Sequence, residues 1–158
     1  MPSRVSIFAL GFAFIATCHF LTATTDADDK HEPKSDVGHT AIVEDSMHEF
    51  MEYVFQPTYK RLKVSMASQP ADNAGWKAIK SDSLILAESC NLLFARAPEE
   101  NVDDWNKHSV DSREAGAKLY KAAGAKQFDA ASSAYRSMLE SCNACHRKFE
   151  KGRHILTP

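Results

Sequence analysis

Residues 127–151 read QFDAASSAYRSMLESCNACHRKFEK, and their pattern decides the fold. Phe128, Ala131, Tyr135, Met138, Cys142, Cys145 and Phe149 recur at steps of three and four, which is one face of an α-helix. Gly152 follows as a helix stop. Within that face lies Cys142-Asn143-Ala144-Cys145-His146. C-x-x-C-H is the attachment signature of c-type haem. Two thiols add across the two vinyl groups of one porphyrin, and the adjacent imidazole ligates the iron as proximal ligand. Other uses of C-x-x-C fit less well. A redox pair follows a strand and opens a helix in a βαβ context, and nothing strand-like precedes this one. A zinc site needs a second ligand pair at short spacing, and the sequence offers none.

Upstream, three more segments carry the helical period. The third helix is expected over residues 102–124, with Asp103 and Asp104 at the positive end of its dipole and Trp105, Ser112, Ala115 and Leu119 facing inward. The second is expected over residues 73–96, with Trp76, Ile79, Ser83, Leu86, Cys90 and Leu93 on its face and Pro98 as its stop. In the first, Ser46 and Glu49 have the spacing of a capping box, although Thr40 offers an earlier start. Its apolar face carries Met47, Met51, Val54, Phe55, Thr58 and Leu62. Pro57 should kink this helix rather than end it, because the period runs on to Met66 before Ser68-Gln69-Pro70. No segment alternates with period two. Four helices with short connections predict an all-α fold over residues 40–158, an antiparallel up-down-up-down four-helix bundle with covalently bound haem.

The N-terminal end reads differently. Arg4 precedes an apolar run, residues 5–21, broken by Ser6, Gly11, Thr17, Cys18 and His19. Small residues follow around Leu21-Thr22-Ala23, so residues 1–23 read as a secretory signal peptide cleaved after about Ala23. The run is short and interrupted for a membrane span, with an uncleaved anchor as the alternative. Residues 24–39 are polar, contain Pro33, Gly38 and the isolated His31 and His39, and read as a disordered linker. The chain of 158 residues is long enough for one domain with a real core, and its formal charge of −2 gives no reason to invoke nucleic acid. Export and haem attachment agree, since c-type maturation occurs outside the cytoplasmic membrane; the expected location is periplasmic or otherwise exported. Of the four cysteines, Cys18 leaves with the leader, Cys142 and Cys145 hold haem, and Cys90 reads as a small buried core residue.

An up-down bundle brings the end of the last helix beside the start of the first, the end of the second and the start of the third. The haem is then expected near that end, walled by Leu93, Phe94, Val102 and Trp105. Its second face should meet the first two turns of helix one, which hold Met47, His48 and Met51. Met66 belongs to the opposite end, and Met138 shares the helix of the proximal ligand. Met51 lies in the helix body whichever start is correct, whereas Met47 sits in the first turn. Methionine also fills irregular core space, so ligation and packing both remain open for the pair.

A C-terminal C-x-x-C-H on the last helix of a four-helix bundle resembles the cytochrome c′ family, the class II c-type cytochromes. The resemblance spans residues 40–152, and the haem motif is its most specific part. The family often continues C-x-x-C-H-x-x-[YF]-[RK]; Phe149 matches, but Glu150 stands at the basic place, with Lys151 next. The resemblance implies one covalent haem c with His146 on the iron and one of two functions. Members with a methionine from helix one as sixth ligand carry electrons, and members without it bind NO or CO at an open position. The expectation is an exported electron carrier rather than an enzyme, with His146 proximal and Met51 distal, Met47 being the alternative ligand and gas binding the alternative function. A catalytic haem would need polar groups over an open distal position, where His108 is the only other histidine expected nearby. The implied partners are redox proteins, and the family's pairing through helices one and two implies a homodimer. Arg96 and Lys107, at the haem end, are suited to steering an acidic partner or simply to surface solvation.

Overall fold

The computed structural model describes residues 41–158, so the signal-peptide and linker expectations fall outside the described residues. Every regular element among the described residues is helical. The first arm is built from α1 (Met47–Phe50), a π-helical turn (Met51–Phe55) and α2 (Gln56–Met66) in direct succession. The second joins α3 (Asn73–Ser89) to a 3-10 segment (Cys90–Arg96). Two long helices, α4 (Val102–Gly124) and α5 (Phe128–Phe149), complete the set.

Local chemistry explains most of the boundaries. Ser46 caps α1 through its Oγ, which accepts from the Glu49 amide at 3.3 Å. Only half of the expected capping box forms, because the Ser46 amide donates to Glu44 Oε1 at 2.7 Å instead of to Glu49. Pro57 does not simply kink the helix. Lacking an N–H and crowding the carbonyl four residues back, it cannot continue an α turn. The chain answers with the π turn, in which the Gln56 amide donates five residues back to the Met51 carbonyl, and Pro57 then opens α2. Asp72 caps α3 by accepting from the Gly75 amide at 2.9 Å.

The second helix was expected to stay α-helical to residue 96; it tightens to 3-10 geometry from Cys90. Pro98 holds Ala97 extended (φ −61°, ψ 135°), so the chain must leave the helix there. The carbonyls stranded by that exit are taken by side chains, Leu92's by Arg96 Nη1 at 2.9 Å and Leu93's by Trp105 Nε1 at 2.7 Å.

Successive arms run in opposite directions. Lys126 at the end of α4 meets Asn73 at the start of α3, while Trp105 at the start of α4 meets Leu93. Asp104 pairs with Lys148 at 2.7 Å, which sets the start of α4 beside the end of α5. Gly116 of α4 lies against Ala87 of α3 so closely that a Cβ there would sit 3.1 Å from the alanine's. The core has two parts. One holds Leu62, Trp76, Ile79, Leu119, Tyr135 and Met138 among others. The second, at the opposite end, joins Phe50, Cys90, Leu93 and Trp105, with Met47, Met51 and Phe149 packed against them.

Candidate functional site

The first arm presents two parallel stripes. Phe50, Thr58, Leu62 and Met66 are buried in the core, and Val54 belongs to the same step-of-four series. One residue along, Met47, Met51, Phe55 and Tyr59 border a cavity of about 700 Å³. An uninterrupted α-helix would drift by about 40° at each step of four, and the wider π turn absorbs part of that drift. The sequence pattern merged these stripes into one face and omitted Phe50, whose ring packs edge-on to Phe55 at 5.5 Å beneath the Arg96 guanidinium at 3.9 Å.

Facing these residues across the cavity are Cys142, Cys145, His146 and Phe149 of α5. Both thiols and the imidazole therefore border one volume, and that volume lies within the range of about 300–1,000 Å³ found for cofactor pockets. Trp105 forms part of the wall, stacked edge-on against Phe149 at 5.1 Å. Leu93, Phe94 and Val102 do not border it. Leu93 is spent in the core behind Trp105, Phe94 lies under the Arg113 guanidinium at 5.7 Å, and Val102 is exposed. The inner wall comes instead from Leu86, Met138 and Leu139. The 3-10 tightening after Cys90 changes the direction of the residues beyond it, which a continuous α period did not anticipate.

The cysteines occupy the last two turns of a long helix, remote from its positive end. Burial pushes the Cys142 thiol up to about 11, against the lowering effect of the Ser112 hydroxyl 3.9 Å away. Burial also pushes Cys145 up to about 11, with Cys142 and Glu150 adding to it. Dithiol redox centres depend on the reverse, a thiolate stabilised at a helix N-terminus or by nearby cations. Among the described residues, no three His, Cys, Asp or Glu side chains converge as a metal-ligand set.

His146 is half-buried, and burial holds its imidazole below the ordinary histidine range, partly opposed by a bond to the His154 backbone. That bond fixes the tautomer. The His154 carbonyl can only accept, so Nδ1, at 2.9 Å, carries the proton, and the Nε2 lone pair is left available. His154 belongs to a feature absent from the sequence reading. After α5 the backbone turns through Lys151 (φ 54°) and Gly152 (φ 74°), and the last residues fold back along α5. Arg153, His154, Ile155 and Leu156 thereby border the cavity. The available signal was the apolar pair Ile155-Leu156 beyond an evident helix stop.

The remaining polar candidates are placed differently from expectation. His108 does not border the cavity and meets the edge of Phe149 at 6.3 Å. His48, at the mouth, is exposed and pairs with Glu52 at 3.2 Å. Arg96 is half-buried and bonds the Glu44 carbonyl at 3.0 Å, while Lys107 pairs with Asp111 on its own helix. Both cations are thus engaged within the chain. Among the described residues no helix is long and apolar enough to cross a membrane.

Comparison with models of known protein families finds no match, and comparison with curated proteins finds none.

Proposed function

We propose that this chain is an exported c-type cytochrome, similar to the cytochrome c′ family, that carries single electrons through one covalently bound haem c. The observation that supports the reading is the shared cavity: Cys142, Cys145 and His146, in attachment register on α5, border the same volume as Met47 and Met51 on the first arm. The residues present fit the group. Two half-buried neutral thiols are available for thioether bonds, and an imidazole with its Nδ1 proton held elsewhere offers Nε2 to iron. Leu86, Met138, Leu139 and Phe149 exclude water from the inner side. When bound, haem supplies a one-electron iron couple whose potential the axial ligands set.

In this reading His146 and Met51 would be the residues that hold the iron. A thioether from Met51 would favour the ferrous state when the group is bound. The partner would be another redox protein meeting the cavity end, and a homodimer follows only from the family resemblance. The leader would be removed on export, leaving no membrane span.

The test uses the purified exported protein. Its mass should exceed that of the cleaved polypeptide by one haem, and acid-acetone should not extract the haem. Met51→Ala should give high-spin spectra and open the iron to carbon monoxide, whereas Met47→Ala should leave both unchanged. Haem lost to the organic phase would refute the reading. A protein that is high-spin and binds carbon monoxide without substitution would replace electron transfer by NO or CO binding.

A further inference from the structure

The chain beyond Gly152 is tied down by more bonds than a solvated tail needs. Asn143, the first residue between the two cysteines, uses both ends of its amide on Leu156. Its Nδ2 donates to the Leu156 carbonyl at 2.9 Å, and its Oδ1 accepts from the Leu156 amide at 2.8 Å. Tyr59, on the opposite wall, does the same for Thr157. Its hydroxyl donates to the carbonyl at 2.7 Å and accepts from the amide at 3.1 Å. Lys63 adds a bond to Thr157 Oγ1 at 2.7 Å. Leu156 is half-buried and packs against the larger core cluster. These contacts join α2 to α5 across the side of the cavity and hold the His154 carbonyl against His146 Nδ1.

From this we infer that residues 153–158 are a strap that orients the proximal imidazole, with Asn143 and Tyr59 as the positioning residues that hold it. The inference rests on the haem reading above. Asn143 neither binds a porphyrin nor ligates iron, yet it fixes the backbone that accepts the His146 proton. A carbonyl acceptor on Nδ1 makes the imidazole a stronger donor through Nε2 and so favours ferric iron. A loose strap would return that proton to water and let the ring turn.

The experiment compares the holoprotein with Asn143→Ala, Asn143→Asp and a chain ending at Gly152. Limited trypsin digestion, followed by mass, reads release of the tail after Lys151 or Arg153. Two hydrogen bonds of ordinary strength predict release about thirtyfold faster from Asn143→Ala than from the unmodified protein. Asn143→Asp should lie between, because it still accepts from the Leu156 amide but no longer donates. The reduction potential should move upward in Asn143→Ala and in the shortened chain by similar amounts, with mass confirming haem on every variant. Equal tail release from the unmodified protein and Asn143→Ala would overturn the strap. Faster release with an unchanged potential would overturn the positioning role and leave the segment purely structural. An unmodified protein whose mass shows no haem would instead defeat the haem reading, and the positioning role with it, before any variant is compared.

Discussion

Trp105 is the side chain that ties the cavity wall to the end of the second arm, and Trp105→Phe should measure that tie. The indole is 7% exposed, and its Nε1 donates to the Leu93 carbonyl at 2.7 Å. Phenylalanine keeps an aromatic ring against Phe149 but has no donor. The stranded carbonyl lies in a buried region where water cannot readily replace the indole, a loss of about 1–3 kcal/mol. The smaller ring also leaves a void on the side of Cys90 and Leu93, adding about 1 kcal/mol. Together these give about 2–4 kcal/mol, which lowers the urea midpoint by about 1–2 M when the slope is near 2 kcal/mol/M. Equilibrium urea unfolding of the purified protein, followed by far-ultraviolet circular dichroism, is the assay. A midpoint within about 0.3 M of the unmodified protein would refute this account of how the 3-10 segment is closed.

Two further outcomes follow from buried groups away from Cys142 and Cys145. Arg61 holds the buried Asp82 carboxylate at 2.8 Å and also donates to Thr58 Oγ1, so Arg61→Leu should lower stability by about 1–3 kcal/mol, less than a fully buried pair because the arginine is half-exposed; thermal unfolding checks it. Burial pushes the Cys90 thiol up to about 12, so it should resist iodoacetamide in the native protein at pH 8 and react once the chain is unfolded. Because that folded value lies above the ordinary one of 9.0, the neutral thiol's contribution is intact below about pH 9 and is lost as pH rises toward 12. Labelling of Cys90 in the native protein at pH 8 would contradict the burial.

The parts of this structure legible in the sequence are those set by period and punctuation. The inward series Trp76, Ile79, Ser83, Leu86 and Cys90 follows one helical face without interruption, and each of these residues is buried. Ser46 and Gly152 mark their helix ends by chemistry that acts within a few residues. What escaped depended on contacts distant in sequence or on departures from the α period. Phe50 stands three residues after Met47 and four before Val54, so the period allowed it; the reading that merged the arm into one face left it out, and the π turn that follows it separates the two stripes. Leu93 and Phe94 were placed by continuing that period through a segment that tightens. The backbone acceptor for His146 was invisible for a different reason: any residue at position 154 supplies a carbonyl, and only the fold brings it back eight residues along the chain.

The π turn sets how the first arm can change in length. Elsewhere in a buried helix, losing one residue swings everything beyond it by about 100° and exchanges core for solvent. Between Met51 and Phe55 the turn already carries one residue more than an α turn needs, and Tyr53 within it is 67% exposed. A deletion at that residue would bring the arm back to plain α-helix with Phe50 and Leu62 still on the inner side. It would also set the Pro57 ring against the carbonyl that the extra residue now moves aside. The proline is therefore tolerable only with the surplus residue before it. A chain of this fold that lost both would keep its cavity wall, whereas one that lost the surplus residue and kept the proline would disturb it.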